Sequence, residues 1–106
     1  MDSEADCPDA QTPLPDGALA RTMQIVNKKG LHARATAKFV HCVERFASEI
    51  TVSRCGEMVN GTSIMGILTL GAGIGTSIAV IAKGDDARDA LDAIAALVAN
   101  RFGEDE

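Results

Sequence analysis

The chain has no tryptophan, no tyrosine and only three phenylalanines. It therefore lacks the aromatic platform on which single-stranded nucleic acids stack their bases. Basic charge is also short: ten Lys and Arg against fifteen Asp and Glu leave a formal net charge of −5. General binding to nucleic acid needs basic patches that neutralise phosphates, and this balance argues against it. No apolar run reaches the ~18 residues that a membrane-spanning helix requires. The N-terminus is acidic and has no apolar signal core, so neither membrane insertion nor export is expected. Cysteine is scarce and odd in number (Cys7, Cys42 and Cys55), with no paired spacing. That usage favours a reducing, cytoplasmic compartment over a disulfide framework, and none of the three thiols is assigned a role.

What is present suits one small domain. A core of 106 residues buries somewhat under ~70% of its unfolded surface, enough to fold without staples. All three prolines fall in residues 1–20, a segment without helical or strand periodicity that reads as a disordered acidic leader. Acidic residues also fill positions 104–106, so 103–106 reads as an acidic tail and the folded part as 21–102. From Arg21 onward the patterning is regular. Thr22–Val26 predicts a strand with Met23 and Ile25 on one face. Ala33–Ala47 predicts a helix with Thr36, Phe39, Val40, Val43, Phe46 and Ala47 inward and Arg34, Lys38, His41, Cys42 and Arg45 outward. Ile50–Arg54 and Glu57–Asn60 flank a Cys55–Gly56 turn, and a short helix follows from Ile64 to Leu70. Thr76–Ala82 is a strand with Ile78 and Val80 inward. Asp85 is the expected N-cap of a last helix striped by Ala87, Ala90, Leu91, Ile94, Leu97 and Val98. The order β-α-β-β-α-β-α, with one apolar face per element, implies an α+β two-layer sandwich.

Chemistry concentrates at Gly30-Leu31-His32-Ala33-Arg34. His32 falls where a helix begins, and there the first backbone N–H groups lack intrahelical partners and the dipole adds positive potential. The amides of Ala33 and Arg34 can thus cradle a phosphate, and the same field favours a neutral, nucleophilic ring. Arg34 adds a fork of donors suited to phosphate oxygens, and Gly30 is expected to keep the approach open. By spacing alone, a histidine that merely caps the helix or lies exposed at a turn is an equally good reading. A metal site is poorly supported, because no residue has ligand spacing to His32 and His41 lies on the solvent face. No nucleophile-base-acid set can be assembled either.

Ser63 opens the short helix, where its hydroxyl can cap the following amides. With Ile67 and Leu70 inward, helical spacing turns Ile64, Met65 and Leu68 outward or to the rim. Periodicity does not separate a docking patch from residues that complete the core.

Gly30 to Arg34, followed by Ala37-Lys38-Phe39-Val40, resembles the active-site segment of HPr. HPr is the histidine-containing phosphocarrier of the bacterial phosphoenolpyruvate-dependent phosphotransferase system. Val59 to Gly66 resembles that family's second signature, and the likeness spans roughly 21–102. It implies an HPr-like open-faced sandwich: an antiparallel four-stranded sheet covered on one side by three helices. It also implies a carrier that is not itself an enzyme, works without cofactor or metal, and takes a phosphoryl group from phospho-enzyme I on Nδ1 of His32. Arg34 stabilises that group, and an enzyme IIA protein receives it. By the same resemblance Ser63 is the target of a regulatory HPr kinase/phosphorylase, and Ile64, Met65 and Leu68 are docking residues. One departure stands out: Ala35 occupies a place where the family commonly has proline, and lacking that proline is typical of alphaproteobacterial and nitrogen-related members. The competing reading is a mainly regulatory interaction protein of a nitrogen-type phosphotransferase branch that docks according to phosphorylation state. Nothing in the sequence demands more than a monomer.

Overall fold

The computed structural model describes residues 17–104, and its strands β1 (Ala18–Gln24), β2 (Glu49–Arg54), β3 (Glu57–Asn60) and β4 (Ser77–Lys83) form one antiparallel sheet in the order β1-β4-β2-β3. Strand β1 is Ala18–Gln24; Met23 within it and Ile25 just beyond are buried, at the two-residue spacing expected. The strand starts ahead of Arg21 because strand β4, Ser77–Lys83, is long enough to pair with all of it, from Ala18 opposite Lys83 to Gln24 opposite Ser77. The rest of the expected leader, 1–16, lies outside the described residues, as do 105 and 106.

Helix α1, Ala33–Val43, buries Thr36, Phe39, Val40 and Val43 as its stripe predicts, but it stops short of Ala47. Two effects end it. The Arg45 and Phe46 amides fall back on Cys42 and Val43, three residues behind, which tightens the last turn. The Ala47 and Ser48 amides are then taken at 2.9 Å by the carboxylate of Asp86. A second correction concerns Cys42, which is buried rather than solvent-facing, because the last helix covers that side of α1. Burial pushes its thiol above the usual range, and the nearby Arg45 charge opposes this.

Strands β2, Glu49–Arg54, and β3, Glu57–Asn60, form the expected hairpin, and Ile50 and Val52 are buried. Its two turn residues, Cys55 and Gly56, both have positive φ, the arrangement that matches the twist of paired strands. Cys42 is a free cysteine, whereas Cys55 is disulfide-bonded, which the odd, unpaired spacing did not predict; Cys7 lies outside the described residues.

Helix α2 is Ile64–Thr69 and helix α3 is Ala87–Ala99. Ala87, Ala90, Leu91, Ile94 and Val98 of α3 bury their side chains in the core shared with α1 and the sheet, while Leu97 stays half-buried at the edge. The expected cap of α3 is displaced by one residue. Asp86 holds the N-cap position but makes no side-chain bond to α3, because its carboxylate accepts from the Ala47 amide and from both the amide and the hydroxyl of Ser48. The Ser48 hydroxyl, and after it the Ala47 amide, hold that carboxyl below the usual range.

Beyond α3, a 3-10 turn at Arg101–Gly103 carries two consecutive left-handed residues, Arg101 at φ 57° and Phe102 at φ 55°. Each such residue costs about 1–2 kcal/mol. Complete burial of the Phe102 ring, worth roughly 1.5–3 kcal/mol, offsets much of that cost. The ring thereby pins the end of the described chain to the core.

Candidate functional site

The loop before α1 is stapled to the loop before β4. The Leu31 amide donates to the Ala72 carbonyl at 2.9 Å, Leu31 itself is buried, and the Gly75 amide donates to the Ile25 carbonyl at 2.8 Å. Gly30 takes φ +66°, and a Cβ there would lie 2.6 Å from the Ala72 carbonyl oxygen and 2.8 Å from Gly73 Cα. Glycine is therefore required by backbone conformation and by close packing of two loops, not by the open approach expected from sequence.

This loop delivers His32 to the N-cap position of α1 with extended backbone (φ −76°, ψ 179°). Its carbonyl accepts the first helical hydrogen bond, from the Thr36 amide at 2.8 Å. The amides of Ala33, Arg34 and Ala35 precede that bond and so have no acceptor within the helix. The His32 ring makes no capping bond, which removes the reading of this residue as a simple side-chain cap. Arg34 is exposed on the same first turn, and Ala35 is fully buried against the core.

The ring is held instead by a residue that the sequence placed in an acidic tail. Glu104 Oε2 pairs with His32 Nε2, and Glu104 Oε1 accepts from Asn27 Nδ2 at 3.1 Å. Asn27 is fully buried and also donates to the Gly30 carbonyl at 2.8 Å, so one amide ties the His32 loop to Glu104. The hydrogen bond from His32 holds the Glu104 carboxyl below the usual carboxylate range. The Asn27 amide and the charges of His32 and Lys29 act the same way, and partial burial opposes them. An ionised carboxylate only accepts. Nε2 therefore donates to Glu104, and in the neutral form of the ring the free lone pair is on Nδ1. With side chains 28% and 19% exposed, His32 and Glu104 form a partly sheltered pair at the residue that opens α1.

Sequence reasoning missed Glu104, Asn27 and the Phe102 anchor. His32 and Glu104 lie 72 positions apart, and no spacing rule connects them. The one usable signal was Phe102, a large apolar residue just past the last helical stripe.

Ser63 is the N-cap of α2, and its hydroxyl accepts from the Gly66 amide at 3.0 Å. On α2 the expected division holds. Ile67 and Leu70 are buried, Met65 is 71% exposed, Ile64 is exposed and Leu68 is half-buried. This helix packs against α1 and β3, which puts Ser63 and the apolar residues beside the helix that His32 opens.

Comparison with known proteins agrees with this architecture. Residues 19–100 match the family model described as the PTS HPr component phosphorylation site. The phosphocarrier protein HPr of Cupriavidus necator is 48% identical over 88 residues, covering 83% of this chain and 99% of that protein. The phosphocarrier protein NPr of Shewanella violacea is 43% identical over 86 residues, covering 81% and 94%. Among solved structures, HPr from Thermoanaerobacter tengcongensis superposes with a TM-score of 0.80 at 41% identity, covering 83% of this chain and 99% of that one. The chain belongs to the HPr family of phosphotransferase-system phosphocarriers.

Proposed function

We propose that His32 is the phosphoryl acceptor, charged by phospho-enzyme I and discharged to an enzyme IIA protein in the cytoplasm. The observation that carries this reading is the engagement of Nε2 by Glu104, which leaves Nδ1 as the nucleophile at the mouth of α1. In the forward step the Nδ1 lone pair attacks phosphorus, and the bond from phosphorus to the donor's nitrogen breaks, its electron pair returning to the donor. The ring keeps its proton on Nε2, and the positive charge that develops there is met by the Glu104 carboxylate. The phosphoryl oxygens meet the helix-start amides of Ala33 and Arg34 and the Arg34 guanidinium. The same contacts serve in reverse when an acceptor's nucleophile attacks. Two amides and one exposed arginine steady the group without locking it, which suits a carrier that must release what it binds.

Exposed Ile64 and Met65, with Leu68 at the rim, form the surface on which donor and acceptor seat. Ser63 at its edge is the proposed regulatory site, modified by an HPr kinase/phosphorylase. A phosphate there adds a charge of about −1.5 to −2 and hinders docking by repulsion and desolvation. The NPr relative at 43% identity supports a second reading, in which the acceptor is a nitrogen-type regulatory protein and docking is the main output.

Incubation with enzyme I and labelled phosphoenolpyruvate tests the acceptor. The label should be acid-labile and alkali-stable, absent in His32→Ala and reduced in Arg34→Ala. Persistence of that label in His32→Ala would sink the assignment.

A further inference from the structure

Helices α1 and α3 leave an open groove of about 430 Å³ between them, which no residue of α2 lines. Lys38, His41 and Cys42 of α1 line it together with Arg45 from the turn that closes α1, and Ala93, Ala96 and Leu97 of α3 line it together with Asn100 at the end of that helix. The hollow exists because α3 presents two alanines where larger side chains would fill it. Its floor is apolar, made by buried Cys42 and half-buried Ala93 and Leu97. Its rim carries an ammonium, an imidazole and a guanidinium, and among the described residues no acid lines it. In a chain of net charge −5, such a rim is a marked local exception. The volume lies in the range of small-molecule sites, which join an apolar surface to a few placed polar groups.

One rim residue touches the turn that precedes Glu104. Lys38 Nζ donates to the Phe102 carbonyl at 2.7 Å, and a Cβ on Gly103 would lie 3.5 Å from the same nitrogen. Lys38 thus clasps the strained turn that brings Glu104 onto His32. An anion in the groove competes with the Phe102 carbonyl for the Lys38 ammonium and loosens that clasp.

We propose that the groove binds a small organic phosphate, its apolar body on Ala93 and Leu97 and its anionic group on the Lys38, His41 and Arg45 rim, and that occupancy is transmitted through Lys38 and Phe102 to the Glu104 contact on His32. The transmission rests on the reading of His32 as acceptor, whereas binding in the groove does not. Linkage makes the effect reciprocal: what the ligand does to the His32 contact, the state of His32 does to ligand affinity.

The test is a nitrogen-15 NMR titration of the full chain with phenyl phosphate, with inorganic phosphate and benzyl alcohol as separate controls. Amide signals of Cys42, Ala93, Ala96 and Leu97 should move and saturate, with at least tenfold weaker binding of either control. The Nε2 signal of His32 should move with them. Arg45→Glu should weaken phenyl phosphate binding at least tenfold with an unchanged circular dichroism spectrum. Lys38→Met should weaken binding yet leave the groove signals able to saturate at higher phenyl phosphate, with the His32 ring silent at that saturation. In His32→Ala the groove signals should still move, which separates this site from the phosphoryl acceptor. Shifts confined to Ala33 and Arg34, or equal affinity for inorganic phosphate, or indifference to Arg45→Glu, would overturn the groove. An Nε2 signal that responds equally in Lys38→Met would overturn the transmission.

Discussion

Replacing Gly30 with alanine should destabilise the domain far more than the same change at Gly71, although both residues sit at φ +66°. The two share the backbone term: an L-residue in the left-handed region costs about 1–2 kcal/mol. They differ in surroundings. A Cβ at Gly71 meets nothing within 4 Å among the described residues, so Gly71→Ala reports the strain alone. At Gly30 the new carbon lies 2.6 Å from the Ala72 carbonyl oxygen and 2.8 Å from Gly73 Cα, both backbone atoms that cannot rotate aside. The loops must part, and parting them strains or breaks the 2.9 Å bond from the Leu31 amide to that same carbonyl. A buried donor left unpaired costs about 1–3 kcal/mol. Gly30→Ala should therefore cost roughly 2–5 kcal/mol, and its gap from Gly71→Ala should be about 1–3 kcal/mol. Urea denaturation followed by circular dichroism reads the gap directly. At about 4–8 °C per kcal/mol for a domain of this size, thermal melts should show it too. Because the same loop positions His32, Gly30→Ala should also slow phosphoryl transfer while still folded, and Gly71→Ala should affect it less. Equal stability of the two variants would refute the packing argument and reduce Gly30 to a turn residue.

Glu104→Gln keeps the shape but removes the charge facing Nε2, so transfer through His32 should slow. The Glu104 carboxyl is held below its ordinary value, so its stabilising contribution is complete above the usual glutamate range and fades as pH falls through the depressed value. Urea midpoints of wild type and Glu104→Gln should differ at pH 7 and converge in acid. The sign is the same for Asp86, whose carboxyl ties the end of α1 to the start of α3; Asp86→Asn should be less stable than wild type at neutral pH and equal to it in strong acid. Ser63→Ala loses the bond to the Gly66 amide and should cost about 1 kcal/mol, seen as a lower melting temperature with transfer retained. Met65→Glu, at a side chain 71% exposed, should leave the melting temperature unchanged and lower the rate of transfer from enzyme I; an unchanged rate counts against the docking surface.

Local patterning sufficed for much of this molecule. Two-residue alternation placed Met23, Ile25, Ile78 and Val80 in the core, and helical spacing sorted buried Ile67 from exposed Met65, because these signals depend only on neighbours along the chain. The position of His32 at a helix start and the cap at Ser63 were legible for the same reason. Element ends were less so. Helix α1 closes where Asp86, some forty residues on, captures the Ala47 and Ser48 amides, and that same capture takes the carboxylate away from capping α3. Cys42 reads as solvent-facing until α3 is laid beside it. The tertiary structure alone decided what His32 touches. Phe102 buries its ring, accepts a left-handed backbone to do so, and thereby swings Glu104 onto Nε2 from 72 positions away. Periodicity carries no information about such a meeting, because it is set by where a packed core leaves room for one aromatic ring.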